Sequence, residues 1–395
     1  MYLTEKHIIK RTHPFYNECD KLCFQSKNIY NQGLYNVRQH YFNTKKYLNY
    51  YGNYHLTKTQ ECYDYLPTRV FCQTLKHVDM VFKSFFALLK NKTVKNSLPK
   101  YLDKVNGRYV ATFIKQAIGL GQFKKTGKLH LSQTDVYIST KLTDFSSLKE
   151  VRIVPRIHHY VIEVVYQVKE KTHCDNGKYA AINLGLNNLA TVAFNDGSKP
   201  LIVNGRPIKS INQYYNKKKA QYQSRLKGNK RRSQTICTLT NKRNNKVTDY
   251  LHKASRLLVN QLVSQGITTL VIGKNKNMKQ DINIGKVNNQ NFVQLPIMRF
   301  ADLMKYKCEL EGIKVLFNEE SYTSKCSFLD GEPICKHDKY MGKRVKRGLF
   351  VSQNGIKINA DVNAAYNILI KAIPNAFADG IEGVVVHPLV LTIKK

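Results

Sequence analysis

The chain has 395 residues, 42% of them hydrophobic, and carries 64 Lys+Arg against 27 Asp+Glu, a formal net charge of +37. That length calls for two or three domains, and a charge excess that opposes compaction fits a polyanionic partner. Nine dispersed cysteines argue against a disulfide framework, no apolar run approaches the roughly 18 residues of a membrane helix, and the opening Met1-Tyr2-Leu3-Thr4-Glu5-Lys6-His7 does not read as a signal peptide. The expectation is a cytoplasmic, nucleoid-associated bacterial protein with no membrane partner. Its 25 Tyr and 17 Phe supply flat groups that stack on unpaired bases.

Residues 11–46 and 66–92 carry helical spacing. In the second stretch Val70, Leu75, Val78, Phe82 and Phe85 share an apolar face, while Gln73 and Lys76 project off it with groups suited to DNA base edges. The Tyr-rich stretch 47–65 between them has no clear period. From 107 to 169 the period falls to two, and strands are expected at 109–113, 128–131, 151–154 and 160–166. This pattern predicts a small β-barrel from residues 1–10 and 100–175, interrupted by a helical insertion at 11–99. The polar run 170–178, with Asn176-Gly177, marks a boundary, so a second domain is expected over 176–395.

That second domain opens with strands at 179–184, 189–194 and 201–203, the last two joined by the turn Asn195-Asp196-Gly197. Residues 208–265 read as mostly helical, ending with Leu251, Ala254, Leu258 and Leu262 on one face before Gly266. A strand at 268–272, a helix at 298–310 stopped by Gly312, a strand at 313–317, a polar loop and a helix at 360–372 follow. Three antiparallel strands followed by helix–strand repeats is the order of an RNase H-like α/β fold. From 197 to 248 there is no Asp or Glu, while Lys217, Lys218, Lys219, Arg225, Lys227, Lys230, Arg231, Arg232, Lys242, Arg243 and Lys246 all fall there. Solvated helices normally mix signs. A run this long without acids reads as a surface that tracks phosphates.

Two positions carry the candidate chemistry. Asn183 lies in Ala180-Ala181-Ile182-Asn183-Leu184-Gly185-Leu186-Asn187-Asn188-Leu189, a buried strand running into a polar tip. Asp361 falls in the first turn of the helix that starts near Lys357-Ile358-Asn359-Ala360-Asp361, with Ala364, Ala365 and Ile368 able to pack inward. Together with Asp249-Tyr250-Leu251-His252-Lys253-Ala254-Ser255-Arg256, Ile272-Gly273-Lys274-Asn275 and Glu319-Glu320-Ser321-Tyr322-Thr323-Ser324-Lys325, these segments resemble the TnpB family, transposon-encoded RNA-guided nucleases related to type V CRISPR effectors. The motifs that carry the resemblance lie between 180 and 370; the first 175 residues match in layout.

The resemblance implies a RuvC domain of RNase H fold preceded by a wedge-type barrel with a recognition insertion, and a site of three acids holding two magnesium ions. The first acid matches position 183, where an amide stands, which offers a neutral oxygen and no charge. The second usually ends the strand that here reads Leu270-Val271-Ile272-Gly273. One branch of the family moves it to just before the Tyr-Thr-Ser motif, where Glu320 and its neighbour Glu319 lie. The third matches Asp361. Relatives often carry two Cys-x-x-Cys pairs as a zinc ribbon. The corresponding region, 325–357, holds only Cys326, Cys335 and His337, so no zinc is expected.

These readings lead to an expected function: a nuclease-dead, TldR-type TnpB relative that carries an omega-type guide RNA, binds double-stranded target DNA beside a short motif, and represses transcription. Glu320 and Asp361 remain as vestigial magnesium ligands. The alternative is an active TnpB-type endonuclease, in which Asp196 or a water replaces the missing acid.

Overall fold

A computed structural model describes residues 1–91, 98–228, 230, 232–275, 285, 289–290, 293–378, 380 and 385–393. The chain divides into two compact units, Met1–Lys169 and Glu170–Lys395.

In the first unit, β1 (Tyr2–Ile9) pairs antiparallel along its whole length with β6 (Tyr160–Gln167), from Tyr2 opposite Gln167 to Ile9 opposite Tyr160. With β2 (Ala111–Ile114) and β5 (Leu148–Pro155) they form a four-stranded sheet of order β1-β6-β5-β2. A separate hairpin, β3 (Lys128–His130) with β4 (Tyr137–Ser139), shares its core through Leu129 and Ile138. The helices α1 (Tyr16–Thr44), α2 (Tyr50–Lys58) and α3 (Thr68–Lys90) lie between β1 and β2 in sequence. Helix α3 buries Val70, Phe71, Thr74, Leu75, Val78, Asp79 and Phe82, the three-and-four spacing of one helical face. The periodless stretch before it is ordered by Asp79, whose Oδ1 accepts from Tyr47 Oη at 2.6 Å and from the Tyr50 amide at 3.1 Å. Arg108 donates from Nε and Nη2 to the two oxygens of Asp20 on α1, at 2.9 and 3.0 Å. That pairing, above all, holds the Asp20 carboxyl below its ordinary range. A short helix, α4 (Leu120–Thr126), was not evident in the residue pattern.

The second unit is built on a six-stranded sheet. Its strands are β7 (Tyr179–Leu184), β8 (Asn188–Phe194), β9 (Leu201–Asn204), β10 (Thr269–Gly273), β11 (Lys314–Asn318) and β15 (Leu389–Leu391), in the order β11-β10-β7-β8-β9-β15. The pairs β7–β8 and β8–β9 are antiparallel, while β10 is parallel to both β7 and β11. This is the arrangement expected of the RNase H-like order. The edge strand β15, parallel to β9, is an addition that the residue pattern did not announce.

Alternation along β7 and β10 sorts their side chains between two layers. Ala180, Ile182, Leu184, Leu270 and Ile272 join the core with α6 (Gln234–Ser264) and α7 (Ile297–Leu310), through Leu251, Leu258, Leu262, Phe300 and Met304. Ala181 and Val271 face α8 (Ala360–Ala372), packing on Ile368 and Leu369. A helix α5 (Arg206–Gln223) runs from the end of β9. Gly266 (φ +70°) and Gly312 (φ +82°) terminate α6 and α7 in the left-handed conformation. Between β11 and α8 lies a three-stranded sheet, β12 (Lys343–Lys346), β13 (Leu349–Val351) and β14 (Lys357–Asn359). Among the described residues no helix is long and apolar enough to cross a membrane.

Candidate functional site

Asn183 sits one residue before the end of β7, on the face that looks toward α8. The last registered pair of the parallel β7–β10 ladder is Ile182 with Ile272, so Asn183 and Gly273 come next on neighbouring strands. Gly273 in turn pairs with Asn318 on β11. Three strand ends thus line up at one edge of the sheet. Helix α8 starts there too: Asn359 caps it, its Oδ1 accepting from the amides of Asp361 (2.9 Å) and Val362 (3.3 Å). Asn183 Nδ2 donates to the Asp361 carbonyl at 3.4 Å.

The structure brings Glu320 to the same edge. An ideal Cβ placed on Gly273 would lie 2.6 Å from Glu320 Oε2, so this carboxylate rests over the bare backbone of Gly273. Its Oε1 accepts from Asn275 Nδ2 at 2.9 Å. Among the described residues the buried Oε2 has no hydrogen-bond partner, nor have Asn275 Oδ1 and Asn318 Nδ2. Burial, with the charge of Glu319 second, pushes the Glu320 carboxyl upward. Glu319 turns away: Lys371 Nζ donates to it at 2.8 Å, and this bond is the main cause of its lowered pKa. Of the two adjacent glutamates, Glu320 is the one directed at the strand ends.

Asp361 is already engaged. Asn188 Nδ2 donates to its Oδ2 at 2.6 Å, and Arg344 Nη2 stands 4.0 Å from Oδ1. Asp196, the suggested substitute acid, follows the end of β8. Phe194 there pairs with Ala180, whereas Asn183 pairs with Thr191. The turn therefore lies at the opposite end of the β7–β8 hairpin. Two carboxylates, Glu320 and Asp361, stand at this edge with the amides of Asn183, Asn188, Asn275 and Asn318, and among the described residues no three His, Cys, Asp or Glu side chains form a metal-holding group. That set falls short of what a pair of divalent cations needs for charge balance.

Amides and acids organise the loop between β11 and α8. Asn363 and Asn367, one turn apart on α8, hold it: Asn363 Nδ2 donates to the Cys326 carbonyl at 2.9 Å, and Asn367 Nδ2 to the carbonyls of Thr323 and Cys326 at 2.9 and 2.7 Å. Buried Glu332 accepts from the amides of Ser327 (2.6 Å) and Met341 (2.9 Å). Cys335 Sγ lies 3.4 Å from His337 Nε2, and Cys326 Sγ donates to the Cys335 carbonyl at 3.6 Å.

The basic segment resolves into α5, α6 and their connection. Lys217, Arg225, Lys230, Arg232 and Lys242 are exposed, and Lys218 and Lys219 are partly so. Arg231 lies outside the described residues. Arg243 is directed inward: Nε donates to Asn212 Oδ1 at 2.7 Å and Nη2 to the Gln294 carbonyl at 3.1 Å. Its periodicity gave no warning of this, because a cation among exposed cations looks like its neighbours. On α3, Lys76 is exposed, with Nζ 5.6 Å from the Tyr50 ring centroid, and Gln73 is half-buried. Two arginines that the motif reading passed over, Arg344 and Arg347, flank Asp361 together with Arg206.

A six-stranded mixed sheet with an acid-bearing helix laid across three strand ends defines a RuvC-type α/β unit. Residues 159–279 match the OrfB_IS605 family, described as a probable transposase, and residues 298–368 match the Cas12f1-like TNB domain. The chain is 23% identical over 266 residues to the CRISPR-associated endodeoxyribonuclease Cas12f2 of Micrarchaeota archaeon, covering 64% of this chain and 47% of that protein. It is 25% identical over 205 residues to a TnpB-like protein of Acidianus two-tailed virus, covering 50% and 42%. It thus spans about half the length of the curated relatives it matches. A cryo-EM structure of a Cas12f1–sgRNA–target DNA complex shares the fold at a TM-score of 0.56 and 16% identity, over 90% of this chain and 82% of that one. Together these matches support the TnpB family for this chain.

Proposed function

We propose that this protein binds DNA under RNA guidance without cutting it, and that it represses transcription at guide-matched DNA beside a short motif. The observation that carries this reading is the state of the site: an amide at 183 hydrogen-bonded to the Asp361 backbone, and Asp361 itself held by Asn188. Magnesium, where bound, supplies a Lewis acid and an activated water. With only Glu320 and Asp361 as anionic ligands, the site is too weakly charged to hold the pair of ions that cleavage uses.

Binding makes no use of those carboxylates. Guide–target pairing supplies sequence recognition, while the protein reads a short duplex motif and the backbone. The net charge of +37 and the exposed cations of α5 and α6 support an omega-type guide RNA and double-stranded target DNA as partners. In this reading the four-stranded sheet of the first unit belongs to a wedge-type barrel over 1–10 and 100–175. The helices of 11–99 form its recognition insertion, with Gln73 and Lys76 toward the motif.

The test is made on protein purified with its co-purifying RNA. Sequencing that RNA names the guide, and a duplex carrying its match is then offered in magnesium. Binding that disappears on RNase treatment, with the duplex uncut, is the expected result. Unchanged affinity after RNase removes the RNA guidance. Cleavage of the matched duplex restores the alternative, an active endonuclease, for which the retained Glu320 and Asp361 speak.

A further inference from the structure

The helical hairpin of α5 and α6 leaves its inner faces unclosed. Arg243 Nε donates to Asn212 Oδ1 at 2.7 Å, and Tyr215 Oη lies 3.2 Å from Thr240 Oγ1, so the two helices run antiparallel in one register. Carried on, that register brings Tyr222 level with the start of α6. Yet of the 18 residues of α5 only Ile208 and Asn212 are buried, and α6 buries none between Ile236 and Val247. Between the faces lies a pocket of about 780 Å³, within the range of small-ligand sites. Its ends differ. Tyr222, Gln234 and Thr235 line it near the connection of the two helices, and Lys242, Arg243 and Lys246 line it farther along α6, with no acid in its walls. Arg243 is a guanidinium without a counter-charge: Nε, Nη1 and Nη2 donate to Asn212 Oδ1, Asn244 Oδ1 and the Gln294 carbonyl, all neutral. Burial lowers its pKa, opposed only by Tyr215. A half-buried cation in that state is completed by an anion.

We propose that this pocket takes one nucleotide unit, with its base laid on the Tyr222 ring and its 5′-phosphate on Lys242, Arg243 and Lys246. A base stacks on an aromatic face whatever its sequence identity, and a guanidinium with free N–H groups suits phosphate oxygens. Tyr215, between the two ends, already has cations near its ring, with Arg243 Cζ at 5.7 Å and Lys219 Nζ at 5.9 Å from the centroid, which leaves Tyr222 as the stacking face. From Gln234 to Lys242 the helix rises about 12 Å, close to the reach of a nucleotide from its phosphate to the far edge of its base. The hydroxyl of Thr235 and the amide of Gln234 stand at the base end as neutral hydrogen-bonding groups. A bare anion leaves the aromatic end unused, and an apolar ligand leaves Arg243 uncompensated. The unit arrives either as a free mononucleotide or as an unstacked nucleotide of a bound RNA. Neither guide pairing nor cleavage enters this assignment.

The experiment titrates 2-aminopurine riboside 5′-monophosphate, whose fluorescence is quenched by stacking, into the full chain with its RNA and into the full chain after RNase treatment. Saturable quenching is expected in the treated protein. Tyr222→Ala is expected to weaken binding about tenfold, the scale of one base–aromatic stack, and to remove most of the quench, while Tyr222→Phe keeps both. Lys242→Ala with Lys246→Ala is expected to weaken binding about tenfold and to flatten its salt dependence. A control pair, Lys217→Ala with Arg225→Ala, removes two exposed cations outside the pocket and is expected to change neither. Equal binding to the RNA-loaded protein assigns the site to a free nucleotide. Binding lost in the RNA-loaded protein, together with RNA affinity that falls in Tyr222→Ala and returns in Tyr222→Phe, assigns it to a nucleotide of the RNA. Binding lost there with RNA affinity indifferent to Tyr222 overturns the proposal, because the pocket is then covered rather than filled. Absence of saturable quenching also overturns it, as do equal losses in the two cation pairs and inorganic phosphate that displaces the probe as well as AMP does. The RNase-treated arm reads the pocket alone, whereas RNA dependence of duplex binding reads guidance, so either can fail without the other.

Discussion

Glu320 and Gly273 share one position in space: a Cβ on Gly273 would fall 2.6 Å from Glu320 Oε2, and 2.7 Å from Ile368 Cδ1. A glycine at the end of β10 is therefore what allows a carboxylate from the loop after β11 to reach the strand ends. A side chain at 273 and Glu320 cannot both occupy that space unshifted.

Gly273→Ala is accordingly expected to destabilise the protein by about 1–3 kcal/mol, the range for overpacking a filled site. Glu320→Ala vacates the volume. In a double-mutant cycle followed by chemical denaturation, the pair is expected to cost less than the sum of the single changes, because Glu320→Ala removes the oxygen that the new methyl at 273 meets. Strict additivity would show that the loop moves aside freely and that the carboxylate is not fixed over Gly273.

The loop between β11 and α8 gives a second expectation. Glu332 satisfies two backbone donors, Ser327 N and Met341 N. Glu332→Ala leaves both without that acceptor and is expected to cost about 2–4 kcal/mol, one to two desolvated groups. Because Asn363, Asn367 and Glu332 carry the hydrogen bonds that hold this loop, adding a strong zinc chelator to the wild type is expected to leave the melting temperature unchanged. A chelator-induced drop would mean that Cys326, Cys335 and His337 hold a metal after all.

The sheet of the second unit was legible because its strands are short apolar runs between polar turns. Ala180–Leu184 and Leu270–Ile272 are buried on both faces, and such runs announce themselves regardless of neighbours. Asn183 stands near the end of such a strand, and Asp361 in the first turn of α8, so the position of each in its element was legible. What the residues did not announce depends on contacts between distant segments. Nothing near Gly273 in sequence says that Glu320 will cover it, and no periodicity separates the inward guanidinium of Arg243 from the exposed cations around it. The strands β12 to β14 were hidden for another reason: Lys343, Arg344, Val345 and Lys346 are all exposed, so no alternation marks them.

Lys307 supplies a pH dependence. Its side chain lies between α7 and α6, with Nζ donating to the His252 carbonyl at 2.8 Å and to Ser255 Oγ at 2.6 Å. Burial, with Arg256 second, lowers its pKa from 10.5 to about 8. Between those values the unfolded chain binds more protons at this group than the folded one, so the group's contribution to stability rises with pH. Below about 8 both states are protonated and the penalty is full and constant. Unfolding free energies of wild type and Lys307→Met, compared at neutral pH and within that window, are expected to diverge in favour of the wild type as pH rises. Parallel profiles would show that Lys307 keeps its ordinary affinity for protons.

The last expectation concerns Asn183→Asp. In the wild type Nδ2 donates to the Asp361 carbonyl; a carboxylate there loses that bond and faces the carbonyl as an acceptor. The revertant is therefore expected to be less stable than the wild type without magnesium, and to recover stability as magnesium is added, because a third anionic ligand now stands at the edge that bears Glu320 and Asp361. In magnesium it is expected to cut guide-matched DNA, which on the proposed function the wild type binds and leaves uncut. A bridging carboxylate is worth on the order of 4 kcal/mol or more of transition-state stabilisation, about three orders of magnitude in rate. Adding Asn188→Ala, which frees Asp361 Oδ2, is expected to raise the magnesium affinity of the revertant further, and adding Glu320→Ala to abolish cutting. If the revertant gains magnesium-dependent stability and still leaves the matched duplex intact, loss of cleavage went beyond position 183. If Glu320→Ala leaves the revertant's cutting unchanged, Glu320 is not the second ligand.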